Sequence, residues 1–504
     1  MCGVVGVLNS AEIEGSLASY DAFKALLNLQ HRGQDAAGIV SFNEVKQKFR
    51  TVKDLGLVSK VFNPQHFERL LGQCALGHTR YATVGSDGVE DLQPIVHGYP
   101  AGLAMVHNGN LVNYHSVASR LNKEEGIQLL TSNDLELLLC LMGKNLRGIP
   151  SRPSSIECFE YLKKGASQVF EKLLGAYSSV GLLANGGMFA LRDPNGLRPL
   201  VLGKKITNSK ESFMVCSESM SLDFVGYEYV RDILPGELVF ISKDGEIFSY
   251  QYEKIERRNC MFEWVYFSAA ESSIEEKSVY NVRLNLGKML SHKLRDLITS
   301  GEISPDYVCP VPDTARTSSI SLAENLGLPY REGLIKNRYV QRSFILNSQT
   351  KREEALELKL SPVRSQIEGK SILLVDDSLV RGTTSKKIIS LLKKNGAKDV
   401  TLALACPPIR YGCYYGVDFP NENELMANGK TVDEIAKYVG ANRVIYLEES
   451  DLIESIGSSE LCMACVNNKY PTAIEDAHEF KNKREDERES NINVKTDNLT
   501  EGVK

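Results

Sequence analysis

Short apolar runs broken by glycine dominate the first half of the chain. CGVVGVL (2–8), AAGIVSF (36–42), SSVGLLAN (178–185) and GELVFIS (236–242) are rich in β-branched residues and flanked by turn formers. That texture predicts the strands of a mixed α+β domain. Between Ser16 and Gln30, Leu17, Tyr20, Phe23 and Leu26 or Leu27 recur at helical spacing, which predicts a helix with those side chains on one face. From about Asn281 strands alternate with helices instead. SILLVDD (371–377) has the unbroken apolarity of a strand covered on both faces. A polar, glycine-bearing turn and the helical pattern SKKIISLLKKNG (385–396) follow, closed by Gly396. DVTLALA (399–405) is the next expected strand, so this stretch predicts a βαβ unit and a parallel sheet. DYVCPVPD (306–313) reads as an earlier strand running into a loop, with a helix ending at Gly327 behind it. From Asp476 onward charged residues and asparagine crowd out apolar ones, as in a disordered tail. The expected division is residues 2–252, 253–475 and a tail of 476–504.

Composition narrows the class. A length of 504 residues allows two or three independently folded domains. A formal net charge of −5, with no basic excess, gives no reason to expect a nucleic-acid partner. Apolar stretches such as Ile372–Val375 are far too short to span a membrane, and the opening MCGVVGV lacks the charged start and long apolar run of a signal peptide. Eleven cysteines, an odd number scattered along the chain, argue against a secreted disulfide framework and for reduced thiols in the cytoplasm. Cys140, inside LELLLCLM, is expected to be a small buried hydrophobe.

Three places carry candidate chemistry. If Met1 is removed, Cys2 bears the free α-amino group, whose pKa of about 7.7–8.0 lets it act as general base for its own thiol. Alone, a cysteine after the start is weak testimony. HRGQDAAGI (31–39), with Arg32, and GHTRYATVG (77–85), with Arg80, strengthen it. So does HNGNL (107–111), whose Asn108 side chain and Gly109 backbone could form an oxyanion hole. Asp134, in TSNDLE (131–136), stands just before an apolar helix, where an N-cap is the bland alternative. The second place is LLVDDSLVRGTTS (373–385). A strand ending in Asp376-Asp377 puts carboxylates at the ligand-binding edge of a parallel sheet. Ser378 follows, and Arg381-Gly382-Thr383-Thr384-Ser385 supplies N–H groups and hydroxyls at a helix start, an anion site that is not a Walker loop. A solvated turn is the alternative there. The third place is Cys462-x-x-Cys465, a spacing shared by zinc, iron–sulfur and redox sites.

Cys2, HRGQDAAGI, TRYATVG, HNGN and the Asp134 segment together resemble the N-terminal-nucleophile glutamine amidotransferases. The resemblance implies an αββα sandwich in which Cys2 attacks glutamine. Arg80 and Asp134 would hold the α-carboxylate and α-amino groups of glutamine, and Asn108 and Gly109 would stabilise the oxyanion. LLVDDSLVRGTTS resembles the phosphoribosyl pyrophosphate motif of type I phosphoribosyltransferases. It implies that Asp376 and Asp377 meet the ribose hydroxyls and Mg²⁺, and that 381–385 hold the 5′-phosphate. PVPDTART (310–317), with Asp313 and Thr314, matches the pyrophosphate loop, and 331–345, with Lys336, Arg338 and Arg342, matches the basic loop that closes over substrate. Many relatives carry Ser where Ala315 stands.

Both halves in this order resemble the glutamine phosphoribosylpyrophosphate amidotransferase family, which opens purine synthesis. That implies formation of 5-phosphoribosylamine, an ammonia channel, a homo-oligomer (a homotetramer) and feedback inhibition by purine nucleotides. CPPIRYGCYYGVD and RRNCMFEWVYF resemble segments of the cluster-bearing branch, implying a [4Fe–4S] cluster on Cys260, Cys413, Cys462 and Cys465. Many members of that branch carry a propeptide; here loss of Met1 alone should expose Cys2. The competing expectations are another Cys2-type amidotransferase and a ligand-sensing regulator that keeps the phosphoribosyl fold.

Overall fold

In the computed structural model, which describes residues 1–9, 17–81, 88–184, 187–337, 360–417, 419 and 422–477, the chain forms two compact units. Of the described residues, the first holds those from Met1 to Asn259, Tyr414–Val417 and Tyr470–Ala477; the second holds those from Cys260 to Cys413 and from Phe419 to Lys469.

Among the described residues, the first unit contains two antiparallel sheets. In one, the neighbours run Glu228–Asp232, Val201–Thr207, Lys210–Cys216, Gly3–Leu8, Cys74–Arg80, Ala36–Asn43 and Lys48–Leu55. In the other they run Ile247–Gln251, Glu237–Ile241, Gly187–Arg192, Gly175–Leu183, Leu103–Leu111 and Ile95–His97. The period of two along each strand sorts the side chains. Val180, Leu182, Met188 and Ala190 meet Val4, Val40 and Leu76 of the first sheet, forming the core between the sheets. Phe189 and Leu191 face the helices Asp134–Lys144 and Ser155–Lys172 on the outer side. Helices Ala18–Asn28 and Ser219–Val225 form the fourth layer, so the unit is the αββα sandwich expected.

The helix starting near Ser16 differs from expectation in its buried face. Ala18, Ser19, Ala22, Ala25 and Leu26 are fully enclosed, whereas Tyr20 is 49% exposed. The reason is steric. The helix lies so close to the strands that a Cβ on Gly77 would meet Leu26 at 2.9 Å, so small side chains fit best beneath it. Its aromatic residues turn sideways instead, and Phe23 packs edge-on to Phe62 and Phe67. Cys140 is only half-buried, although its surroundings still push the thiol up to about 12.

The second unit is built on a parallel sheet, in the order Tyr307–Pro310, Ser371–Asp376, Asp399–Leu404 and Arg443–Tyr446. Leu373, Val375 and Ala403 point to one core, which is covered by helices Val279–Thr299, Arg316–Leu326 and Glu449–Ile456. Ile372, Leu374, Leu402 and Leu404 point to the other, under helices Thr383–Lys394 and Val432–Val439. Burial on both faces explains why these strands read as unbroken apolar runs. No described helix is long and apolar enough to cross a membrane.

A two-domain amidotransferase and phosphoribosyltransferase site set

Strand pairing brings the candidate residues of the first unit together. Gly3–Leu8 lies beside Cys74–Arg80, with Gly3 opposite Thr79. The backbone around Cys2 is held on several sides. Cys2 N donates to Asn108 Oδ1 at 3.2 Å, and Arg32 Nε donates to Cys2 O at 3.1 Å. Gly3 N donates to Thr79 Oγ1 at 3.2 Å and Val4 N to Ser217 Oγ at 3.0 Å. Here Met1 is still attached, so Cys2 N is an amide; after its loss the same atom is the amine.

Asn108 is 1% exposed, and its Nδ2 has no hydrogen-bond partner among the described residues. A buried amide donor left unused costs free energy unless a ligand takes it. Alternation along the antiparallel pair turns the N–H groups of residues 107, 109 and 111 to one side. Gln93 Oε1 accepts from His107 N at 2.7 Å and Asp134 Oδ2 from Leu111 N at 3.0 Å, with Gly109 between them. Only glycine fits at 109, because φ is +152° and a Cβ would meet Ala176 O at 1.9 Å.

Asp134 is not the helix cap. Asn133 takes that role, its side chain accepting from Leu135 N, which leaves Asp134 to the interior, 3.5 Å from His107 Nε2. Arg80 ends its strand, 5% exposed. Neighbouring His78 is kept neutral: burial first, then Arg80 and His107, lower its pKa to about 3. Residues 82–85 of the TRYATVG segment lie outside the described residues.

In the second unit Asp376 ends its strand and Asp377 follows, both 8% exposed. Burial, and then the charge of Asp377, raises the Asp376 carboxyl well above its ordinary range. Burial also raises Asp377, although Thr314, Ser378 and the charge of Arg283 pull the other way. Thr314 Oγ1 donates to Asp377 Oδ2, and Ser378 Oγ donates to Asp377 Oδ1 at 2.7 Å. Two buried, mutually repelling carboxylates suit a divalent cation or vicinal hydroxyl donors.

Gly382 sits at φ +73° immediately before the helix Thr383–Lys394. Thr383 and Thr384 are exposed there, Ser385 is buried, and Arg381 Nε donates to Glu424 Oε2 at 3.0 Å. The loop carrying Asp313 meets the strand Leu334–Lys336 where Lys336 Nζ donates to Asp313 Oδ2 at 2.7 Å. Arg338 and Arg342 lie outside the described residues.

The four cysteines expected to act together all fall in this unit. The two-residue strand reaching Cys260 pairs with Leu461–Cys462. Arg410 N and Tyr411 N both donate to Cys465 O, at 2.9 and 3.0 Å, just ahead of Cys413. Burial pushes the Cys465 thiol well up, and Cys413, Cys260, Cys406 and Cys462 push it further. No group of three or more His, Cys, Asp or Glu among the described residues is arranged to hold a metal ion.

Sequence reasoning named Arg32 without giving it a partner, and it missed Thr79, Gln93, Ser217 and Glu218. The one available signal was the polar CSES (216–219) directly behind an apolar strand.

An αββα sandwich whose edge of chemistry is Cys2, joined to a parallel sheet ending in paired carboxylates and an anion loop, defines a glutamine amidotransferase coupled to a phosphoribosyltransferase. Residues 78–223 match the family model of a glutamine amidotransferase domain, and residues 281–416 match that of a phosphoribosyl transferase domain. The amidophosphoribosyltransferase of Haemophilus influenzae is 40% identical over 457 residues, covering 90% of this chain and 89% of that one. That of Archaeoglobus fulgidus is 39% identical over 481 residues, covering 94% and 98%. Among solved structures, the glutamine phosphoribosylpyrophosphate amidotransferase of B. subtilis, complexed with ADP and GMP, superimposes with a TM-score of 0.81. It shares 36% identity, with 94% of this chain and 98% of that one covered. The chain belongs to the amidophosphoribosyltransferase family.

Proposed function

We propose that this chain converts glutamine, phosphoribosyl pyrophosphate and water into 5-phosphoribosylamine, glutamate and pyrophosphate. Residues 2–252 carry the amide hydrolysis and 253–475 the transfer; 476–504 are the charged tail, from 478 on outside the described residues. The observation that carries the reading is Asn108, which accepts from Cys2 N while holding a buried, unused donor beside the same residue. Once Met1 is lost, the Cys2 amine takes the thiol proton as sulfur attacks the carboxamide carbon. Asn108 Nδ2 and Gly109 N receive the charge that develops on oxygen. The protonated amine returns that proton to the amide nitrogen, ammonia leaves, and water cleaves the γ-glutamyl thioester to glutamate and the free thiol. Arg80 and Asp134 orient glutamine through its α-carboxylate and α-amino groups.

In the second unit, ammonia attacks C1 of the sugar, the bond from C1 to pyrophosphate oxygen breaks, and the new ammonium loses a proton. Asp376 and Asp377 hold the ribose hydroxyls, and 381–385 hold the 5′-phosphate. Asp313, Thr314 and Lys336, with Arg338, line the pyrophosphate side. Mg²⁺ on Asp376 and Asp377 would neutralise the leaving pyrophosphate, and such an ion normally takes few protein ligands beside substrate phosphates.

Cys260, Cys413, Cys462 and Cys465 fit a [4Fe–4S] cluster better than zinc. Each cysteine thiolate of a [4Fe–4S] cluster binds a different iron, and the influence of Cys413, Cys260 and Cys462 on the Cys465 thiol, with the resemblance to the cluster-bearing branch, supports this set. The odd number and wide scatter of the cysteines support a reducing, cytoplasmic setting. The ADP and GMP bound to the B. subtilis relative support inhibition by purine nucleotides, and the family resemblance is the ground for a homotetramer.

Glutamate release measured with and without phosphoribosyl pyrophosphate tests the reading. Release that rises with the sugar phosphate is expected. A sensing regulator releases none in either condition, and a different amidotransferase shows no response to it. For the cluster, anaerobically purified protein should hold about four iron and about four acid-labile sulfide per chain. Zinc without sulfide would remove the cluster from this account.

A further inference from the structure

The grip on the Cys2 carbonyl has its own support. Arg32 is 2% exposed, and a guanidinium that deeply enclosed requires a counter-charge. Glu218 provides it: Arg32 NH1 donates to Glu218 Oε1 at 2.6 Å, and Glu218 is itself 1% exposed. His31 Nε2 reaches the same oxygen at 2.8 Å from the solvent side. Burial alone would raise the Glu218 carboxyl, but Arg32 and then His31 outweigh it and hold it well below the usual range. The location follows from strand order. Lys210–Cys216 pairs with Gly3–Leu8, so the next residues emerge beside the nucleophile: Ser217 holds Val4 N, and Glu218 holds Arg32.

We propose that Glu218 is a positioning residue for glutamine hydrolysis, fixing the Cys2 carbonyl through Arg32 and thereby the direction in which the thiol and the terminal amine point. The inference rests on Cys2 being the nucleophile. A chain terminus has no preceding residue to restrain it once Met1 is gone, so its orientation must come from side chains. Asn108 holds the nitrogen, and Arg32 holds the carbonyl. Without Glu218 the buried guanidinium loses the carboxylate that fixes its NH1, and its hold on the carbonyl loosens. A misplacement of about 1 Å at a reacting atom can cost on the order of 100-fold in rate.

A double-mutant cycle tests this with Glu218→Gln, Arg32→Met and both together, in the full chain. Each single change is expected to lower kcat with glutamine roughly 10- to 100-fold. KM for glutamine should move less than about 3-fold, because Arg80 and Asp134 bind the substrate by other contacts. Synthesis from ammonia should match the unchanged chain, reporting an intact fold. The double variant should lose no more than Arg32→Met alone, since both changes break one connection. Losses that multiply, or an unchanged kcat, would overturn the proposal. Should Glu218→Gln not fold, Glu218→Asp keeps the charge but shortens the reach; a lowered kcat at constant KM supports the proposal, and full kcat refutes it. Cys2→Ala measured alongside separates the two ideas: if it still hydrolyses glutamine, the nucleophile assignment fails, whereas a dead Cys2→Ala beside a fully active Glu218→Gln defeats only the positioning role.

Discussion

Cys2→Ala will end glutamine-dependent synthesis of phosphoribosylamine while leaving synthesis from ammonia in place. The loss should be at least about 10³-fold, because no other group can form the thioester that splits amide hydrolysis into two easier steps. Alanine loses the 4.0 Å contact from Cys2 Sγ to Tyr81 O, but Asn108 and Arg32 hold the backbone nitrogen and oxygen of residue 2, and alanine keeps both. The fold around the terminal strand should therefore persist. Ammonia from solution bypasses this unit, since the paired carboxylates and the anion loop all belong to the other one. Initial rates with glutamine and with ammonium chloride at high pH, on the same preparation, supply the comparison. If ammonia-dependent synthesis disappears from a folded Cys2→Ala protein, the division of labour between the two units is wrong.

The complementary change is Asp376→Asn, alone and with Asp377→Asn. The double variant should form no detectable phosphoribosylamine from either nitrogen source and still hydrolyse glutamine at its basal rate. The single Asp376→Asn should also make the substrate-free protein more stable at neutral pH. An unfolded aspartate titrates near about 3.9. Burial and the charge of Asp377 raise the folded value, so the native chain binds a proton more tightly than the unfolded chain. Stability is then lost as pH rises past the unfolded value, and the loss is complete once pH exceeds the raised folded value. Asparagine never ionises and removes that loss. Each kcal/mol recovered should lift the melting temperature by about 2–4 °C, and the gain should vanish below pH of about 4. Melting curves without Mg²⁺ or substrate, at acid and neutral pH, are the measurement. A lower melting temperature at neutral pH, or loss of basal glutamine hydrolysis, would contradict the account.

Much of the second unit was legible from spacing alone. The run 371–377, the turn at Gly382 and the helix behind it all appear where periodicity and glycine place them. Such features depend on neighbours within a few residues, and local physics suffices to read them. The helix Ala18–Asn28 was legible as a helix but not as a packed surface. Hydrophobic periodicity identified Tyr20 and Phe23 as a face, while the close approach over Gly77 selected the alanines for burial. Asp134 shows the same limit: its position before a helix fitted a cap, and only the structure shows Asn133 in that place.

The residue types for both chemistries were thus set by sequence alone: a thiol next to a prospective terminal amine, an Asn-Gly pair, adjacent carboxylates before an anion loop, and cysteines in separate segments. What the tertiary structure decided is which distant groups hold them. Glu218 and Arg32 are 186 residues apart, and no periodicity relates them. They meet because the strand Lys210–Cys216 pairs with the first strand, a choice governed by long-range burial rather than by local preference.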